Sequence, residues 1–108
     1  MRTLAIAVFA ALMFTPPAAH SATTPAVVMK NDAYSPQNLT IVAGQSVIFT
    51  NADDDAHTVT ATDGGFDSKG LDTNDVWRHT FAKPGIYRYF CELHPFMKGT
   101  IVVKEAIR

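Results

Sequence analysis

The chain predicts an all-β sandwich of about seven strands, and three observations carry that expectation. Short runs of alternating apolar and polar residues recur at intervals of roughly ten. Turn-forming residues stand between them. No segment sustains a long helical period.

Taken in order, the expected strands are 26–30, 38–42, 46–51, 58–62, 76–81, 85–90 and 99–104. The second and third are divided by Ala43-Gly44-Gln45, a tight turn. The fourth ends at Asp63-Gly64-Gly65, where glycine supplies a positive φ. Lys83-Pro84-Gly85 is the turn before the sixth strand. Residues 67–75 form the longest polar connection, either a loop or one irregular helical turn. Two antiparallel sheets packed face to face would turn Leu39, Ile41, Val47, Phe49, Phe81, Tyr87, Tyr89, Ile101 and Val103 largely inward. Trp77 joins that core set. With no repeat, linker or low-complexity tract after residue 22, a single domain over 23–108 is expected.

Residues 1–22 are set apart. Met1 and Arg2 precede an apolar run from Leu4 to Phe14, and Thr15 to Ala22 is rich in small residues and proline. This is the three-part form of a secretory signal peptide, with cleavage expected between Ala19 and Ala26. The run is too short to span a bilayer, and no other stretch approaches about 20 apolar residues. The only cysteine is Cys91, so no cysteine follows the run to be lipidated, and a lone Arg2 does not make a twin-arginine signal. A soluble, exported protein with no membrane span is expected. Losing Arg2 leaves eight basic side chains against ten acidic ones, a balance that disfavours nucleic-acid binding.

A domain of about 86 residues buries only roughly 60–65% of its unfolded surface, a size at which disulfides or metals often add stability. One cysteine cannot form an internal disulfide. A free thiol in an oxidising compartment must be buried or bound, which makes Cys91 the most informative residue in the chain.

In the segment from Tyr87 to Gly99, period-two alternation puts Tyr87, Tyr89 and Cys91 on one face, so the thiol enters the domain at a strand end. His94 and Met97 follow at spacings of three. Pro95 and the flanking strands argue for a compact loop rather than a helix. Closing a site needs one remote imidazole. His57 stands at a strand mouth after the polar stretch 51–56, whereas His79 lies mid-strand in Trp77-Arg78-His79-Thr80-Phe81. His57, Cys91, His94 and Met97 are therefore the candidate metal ligands. One thiolate, two imidazoles and a thioether suit copper cycling between Cu(I) and Cu(II), and zinc gains little from a thioether.

These residues resemble those of the cupredoxins, the type 1 blue copper proteins of the amicyanin, plastocyanin and pseudoazurin group. The likeness covers nearly the whole chain after residue 22, and its most specific part is Cys91-Glu92-Leu93-His94-Pro95-Phe96-Met97, which is similar to the short amicyanin loop. The resemblance implies a Greek-key β-sandwich, one copper ion, equatorial His57, Cys91 and His94, and axial Met97. It departs from the family at Leu93, where proline is frequent, and at Thr58, where asparagine is frequent.

The function implied is that of a monomeric, periplasmic one-electron carrier, with a c-type cytochrome or a periplasmic dehydrogenase as partner. The electron would pass through the edge of His94, with Ala56, Pro95 and Phe96 as an apolar rim. The alternative is copper storage or delivery on the same ligands, though no Met-rich or His-rich tract is present. An enzyme such as a copper oxidase would need further copper centres, and the four histidines include His20 of the export segment. Asp53, Asp54 and Asp55 read either as a solvated turn or as an acidic docking patch.

Overall fold

Burial alternates along the strands with the period of two that the sequence suggests. The structure, a computed structural model, describes residues 23–107, and the expected export segment 1–22 lies outside the described residues. Eight strands follow one another: β1 (Ala26–Lys30), β2 (Ala33–Ser35), β3 (Asn38–Val42), β4 (Ser46–Asn51), β5 (Thr60–Ala61), β6 (Val76–Thr80), β7 (Gly85–Phe90) and β8 (Lys98–Lys104). In β1, Val27 and Met29 point inward; in β4, Val47, Phe49 and Asn51 do so; in β8, Gly99, Ile101 and Val103. The described residues contain no helix, as expected.

Two four-stranded sheets face each other, in the orders β2-β1-β4-β6 and β3-β8-β7-β5. The expectation of purely antiparallel sheets is corrected, because β1 runs parallel to β4 and β3 runs parallel to β8. Alternation along a strand reports which face is buried. It carries nothing about the direction of the neighbour, and both parallel pairs join strands far apart in sequence.

Strand β2 is an addition to the expected set. Asn31 and Asp32, with φ of 53° and 54°, make a two-residue connection of the type I′ form that suits the twist of a hairpin. Only Tyr34 of β2 turns inward, so three residues offer no alternation to read. Burial pushes the Tyr34 phenol well up, and its hydroxyl stays protonated to donate to the Thr58 carbonyl. The expected strand 58–62 shrinks to β5. Its N-terminal part is paired instead by residues 67–71, through isolated bridges of Thr60 with Asp67 and of His57 with Leu71. The long polar connection is therefore a strap laid along residues 57–60.

Seven of the nine residues expected inward are buried, and Leu39 and Tyr87 are partly buried against them. Trp77 also packs from the margin. The core further includes Val27, Met29, Tyr34, Val59, Ala61, Phe66, Leu71, Cys91 and Met97. It contains a row of edge-to-face aromatic rings, Tyr34 on Tyr89 and Tyr89 on Phe49, with centroids 4.7 and 5.6 Å apart. The Tyr89 ring lies across its β8 partner Gly99, and a Cβ at that position would collide with it.

Two predictions follow from this packing. Gly99→Ala should lower the unfolding free energy by about 1–3 kcal/mol, the cost of overpacking a filled core, measured by urea denaturation. The second concerns Asp67, whose pKa is lowered chiefly by the Lys69 backbone N–H. A depressed carboxylate pKa contributes stability that is present above the unfolded value and is lost as pH falls through the folded one. The stability difference between the wild type and Asp67→Asn should therefore be largest near neutral pH and shrink below about pH 4. Urea midpoints taken across that range check it.

Candidate metal centre

The β7–β8 connection builds half of the site from local backbone bonds. The His94 N–H donates to the Cys91 carbonyl at 3.2 Å and the Met97 N–H to the His94 carbonyl at 2.8 Å, two successive tight turns. The Cys91 N–H donates to the Met97 carbonyl at 3.0 Å and closes the loop. Pro95 sits within the second turn, where its missing N–H is not needed. Cys91 and Met97 are buried.

His57 arrives from the other side of the site. Its N–H donates to the Leu71 carbonyl at 3.0 Å and its carbonyl accepts from the Leu71 N–H at 2.8 Å. The imidazole is fully buried, and its Nδ1 lies 3.6 Å from Cys91 Sγ. His94 Nδ1 lies 3.7 Å from the same sulfur. The three donor atoms lie within 4.8 Å of one another.

An ion about 2.0–2.1 Å from an imidazole nitrogen and about 2.3 Å from a thiolate would separate those donors by about 3.7 Å at a trigonal angle. The observed spacings fit that arrangement. Thiolate and imidazole donors, with a buried thioether at the end of the same loop, fit copper.

The outer atoms of the ligands are equally well placed. His57 Nε2 lies 2.7 Å from Asp53 Oδ2. Donation of the Nε2 proton to that carboxylate leaves the Nδ1 lone pair free on the side of the sulfur. Asp53 is itself held by backbone N–H groups, with Asn31 on Oδ1 at 2.8 Å and Asp32 on Oδ2 at 3.0 Å. The Asp32 N–H bond, joined by His57 and the Asn31 N–H, brings the Asp53 pKa down to about 2 against the opposing effect of burial.

Asp53 is buried and leaves the acidic run as a separate case, while Asp54 and Asp55 are exposed. The solvated-turn reading does not hold for Asp53, because its carboxylate faces inward onto His57. The four-residue spacing to His57 was the only trace of this in the sequence.

Thr58 carries the sulfur's remaining bond. Its N–H donates to Cys91 Sγ at 3.3 Å, and its Oγ1 accepts from the Glu92 N–H at 2.9 Å. At position 58, where the sequence departs from the family's frequent asparagine, the threonine hydroxyl thus binds the backbone N–H that follows the cysteine.

His79 takes no part in the site. It sits mid-strand in β6, stacked on Trp77 with ring centroids 5.0 Å apart, and burial lowers its pKa. Of the expected ligands, only His94 reaches solvent, with 25% of its side chain exposed. Leu93 and Phe96 stand exposed beside it, with the Phe96 ring edge-on to the imidazole. Asp32 Oδ1 lies 3.9 Å from His94 Nε2.

Similarity to known proteins extends over most of the chain. A family model for the cupredoxin-like domain matches residues 3–103. The chain is 32% identical over 76 residues to amicyanin of Paracoccus versutus, covering 66% of this chain and 58% of that one. It is 36% identical over 69 residues to amicyanin-alpha of Methylorubrum extorquens, covering 59% and 58%. The match thus spans 58% of the length of these curated relatives. A purple cupredoxin from Nitrosopumilus maritimus superposes with a TM-score of 0.70 at 31% identity, over 74% of this chain and 99% of that one.

The carboxylate behind His57 generates a prediction. Asp53→Ala should weaken metal binding roughly 10–100-fold, the usual effect of removing the partner that orients a ligating histidine, while Asp54→Ala leaves it unchanged. Competition with a chelator of known affinity measures both.

Proposed function

The chain belongs to the cupredoxin-like domain family, whose cofactor is one copper ion, and we infer that it is an exported one-electron carrier with copper held by His57, Cys91, His94 and Met97. The observation that carries this reading is the convergence of His57 Nδ1, His94 Nδ1 and Cys91 Sγ in a buried pocket with one solvent-facing edge. Copper supplies the reversible change of oxidation state.

The protein's own residues do the rest. The backbone bonds of the 91–97 loop and the Asp53–His57 bond hold the donors in place, so a change of copper charge demands little movement of ligands. The Thr58 N–H stabilises negative charge on the sulfur. Burial of His57, Cys91 and Met97 keeps water and oxidants from the thiol.

His94 is the port for the electron, since it alone of the four has a substantial exposed edge. The apolar Leu93 and Phe96 beside it give a small contact face, which suits a partner that must leave quickly. The exposed Asp54 and Asp55, with Asp32 next to His94, favour a redox protein with a basic face, such as a c-type cytochrome or a periplasmic dehydrogenase. Residues 1–22 supply the export signal in this reading. Among the described residues no helix is long and apolar enough to cross a membrane.

Loading the protein with Cu(II) should produce an intense blue colour that Cys91→Ser abolishes. One equivalent of reductant should bleach it and an oxidant should restore it over repeated cycles without loss of copper. Absence of colour would overturn the copper assignment. Rapid surrender of Cu(I) to a chelator would favour storage or delivery over electron carriage.

A further inference from the structure

The strap at residues 67–75 begins with the Asp67 carboxylate, which is connected to the thiolate loop by two buried hydroxyls. Asp67 Oδ1 lies 3.3 Å from Thr60 Oγ1, Thr60 Oγ1 lies 2.9 Å from Thr58 Oγ1, and Thr58 Oγ1 accepts the Glu92 N–H at 2.9 Å. Thr58 and Thr60 are buried, with 4% and 7% exposure. Asp67 also accepts the Lys69 N–H on Oδ1 at 2.8 Å, and Lys69 Nζ stands 3.4 Å from Oδ2.

These contacts fix the sense of every bond. An ionised carboxylate only accepts, so the single hydroxyl proton of Thr60 goes to Asp67. Thr60 Oγ1 must then accept from Thr58. With its own proton committed, Thr58 Oγ1 presents a lone pair to the Glu92 N–H. The relay therefore runs one way, from the peptide after Cys91 outward to Asp67. Hydrogen bonds in such a chain polarise one another, and the charged end strengthens them.

Thr58 also donates its backbone N–H to Cys91 Sγ. One residue thus grips the thiolate at its sulfur and at the following peptide. Whatever holds the Thr58 side chain also holds the donor to the sulfur.

We propose that Asp67 is a positioning residue for the copper site, acting through Thr60 and Thr58 to fix the Cys91–Glu92 peptide and the hydrogen bond to the Cys91 sulfur. This rests on the copper assignment above. Nothing in the chain's local pattern marks Asp67 for such a role. Its contacts with Lys69 alone would account for an ordinary loop carboxylate.

The decisive variant is Thr60→Val, which cuts the relay in the middle while leaving Asp67 and its bonds to Lys69 in place. Thr60→Ser keeps the hydroxyl and is the conservative control. Two readouts are taken. In the metal-free protein, hydrogen exchange of the Glu92 amide should quicken about fivefold or more in Thr60→Val, the factor that a hydrogen bond worth about 1 kcal/mol represents. Thr60→Ser should exchange as the wild type does.

In the copper-loaded protein, Thr60→Val should lower the midpoint potential and shift the sulfur-to-copper absorption band, because a weaker donor to the sulfur favours the oxidised ion. Asp67→Ala should quicken Glu92 exchange as Thr60→Val does, and Asp67→Asn, which keeps an acceptor oxygen, should largely retain the wild-type rate. The proposal is overturned if Thr60→Val leaves both the exchange rate and the potential unchanged, or if Thr60→Ser alters them equally. A wild-type protein that takes up no copper would overturn the assigned function instead, and the exchange comparison would still decide the relay.

Discussion

Asp53 joins three segments that are distant along the chain, through its carboxylate and its main-chain carbonyl. Its carboxylate accepts from the backbone of the β1–β2 turn at Asn31 and Asp32 and from His57 Nε2–H, and its main-chain carbonyl accepts the Thr73 hydroxyl of the strap at 2.7 Å. Its N–H is held by Asn51 Oδ1, and the Asn51 amide in turn donates to the carbonyls of Asp55 and Leu71. A buried carboxylate is costly unless its oxygens are satisfied, and these partners satisfy both. The turn and the remote histidine are thereby fixed to the carboxylate, and the strap to the main chain of the same residue.

The other half of the site obeys a different constraint. Cys91 must be buried yet accessible to an ion, and the loop 91–97 meets this through its own backbone bonds together with the Thr58 hydroxyl on the Glu92 N–H, so its side chains are left free for ligation and contact. The two halves meet at Thr58, which follows His57 and bonds the sulfur directly. In the proposed role of electron carrier, a site held this way would change little in shape with the charge of its metal, and the exposed edge of His94 with Leu93 and Phe96 beside it would be the exit.

Much of this was legible in the chain itself, for physical reasons that differ by element. Strands β1, β3, β4, β7 and β8 show period-two patterning because each has one face against the core. The Cys91, His94 and Met97 set is visible because its three donors come from one loop of seven residues. His57 could be chosen over His79 because a strand mouth can face a loop and a strand centre cannot. Asp53 stayed hidden within an acidic run, since three adjacent aspartates look alike until one of them is buried. The relay from Glu92 to Asp67 was also hidden: threonines alternating in a strand read as ordinary surface or core positions.

The sequence by itself determined the class of fold and the chemistry of the donors, because alternation and ligand spacing are local and survive in one dimension. Tertiary structure decided the rest. Parallel pairing of β1 with β4 and of β3 with β8 joins strands separated by other elements, and no local pattern encodes a neighbour's direction. The tautomer of His57, the burial of Asp53 and the direction of the Thr58–Thr60–Asp67 relay depend on which groups meet across the sandwich. Such meetings are set by packing, in which buried polar atoms are nearly all paired, the Tyr89 hydroxyl being an exception among the described residues.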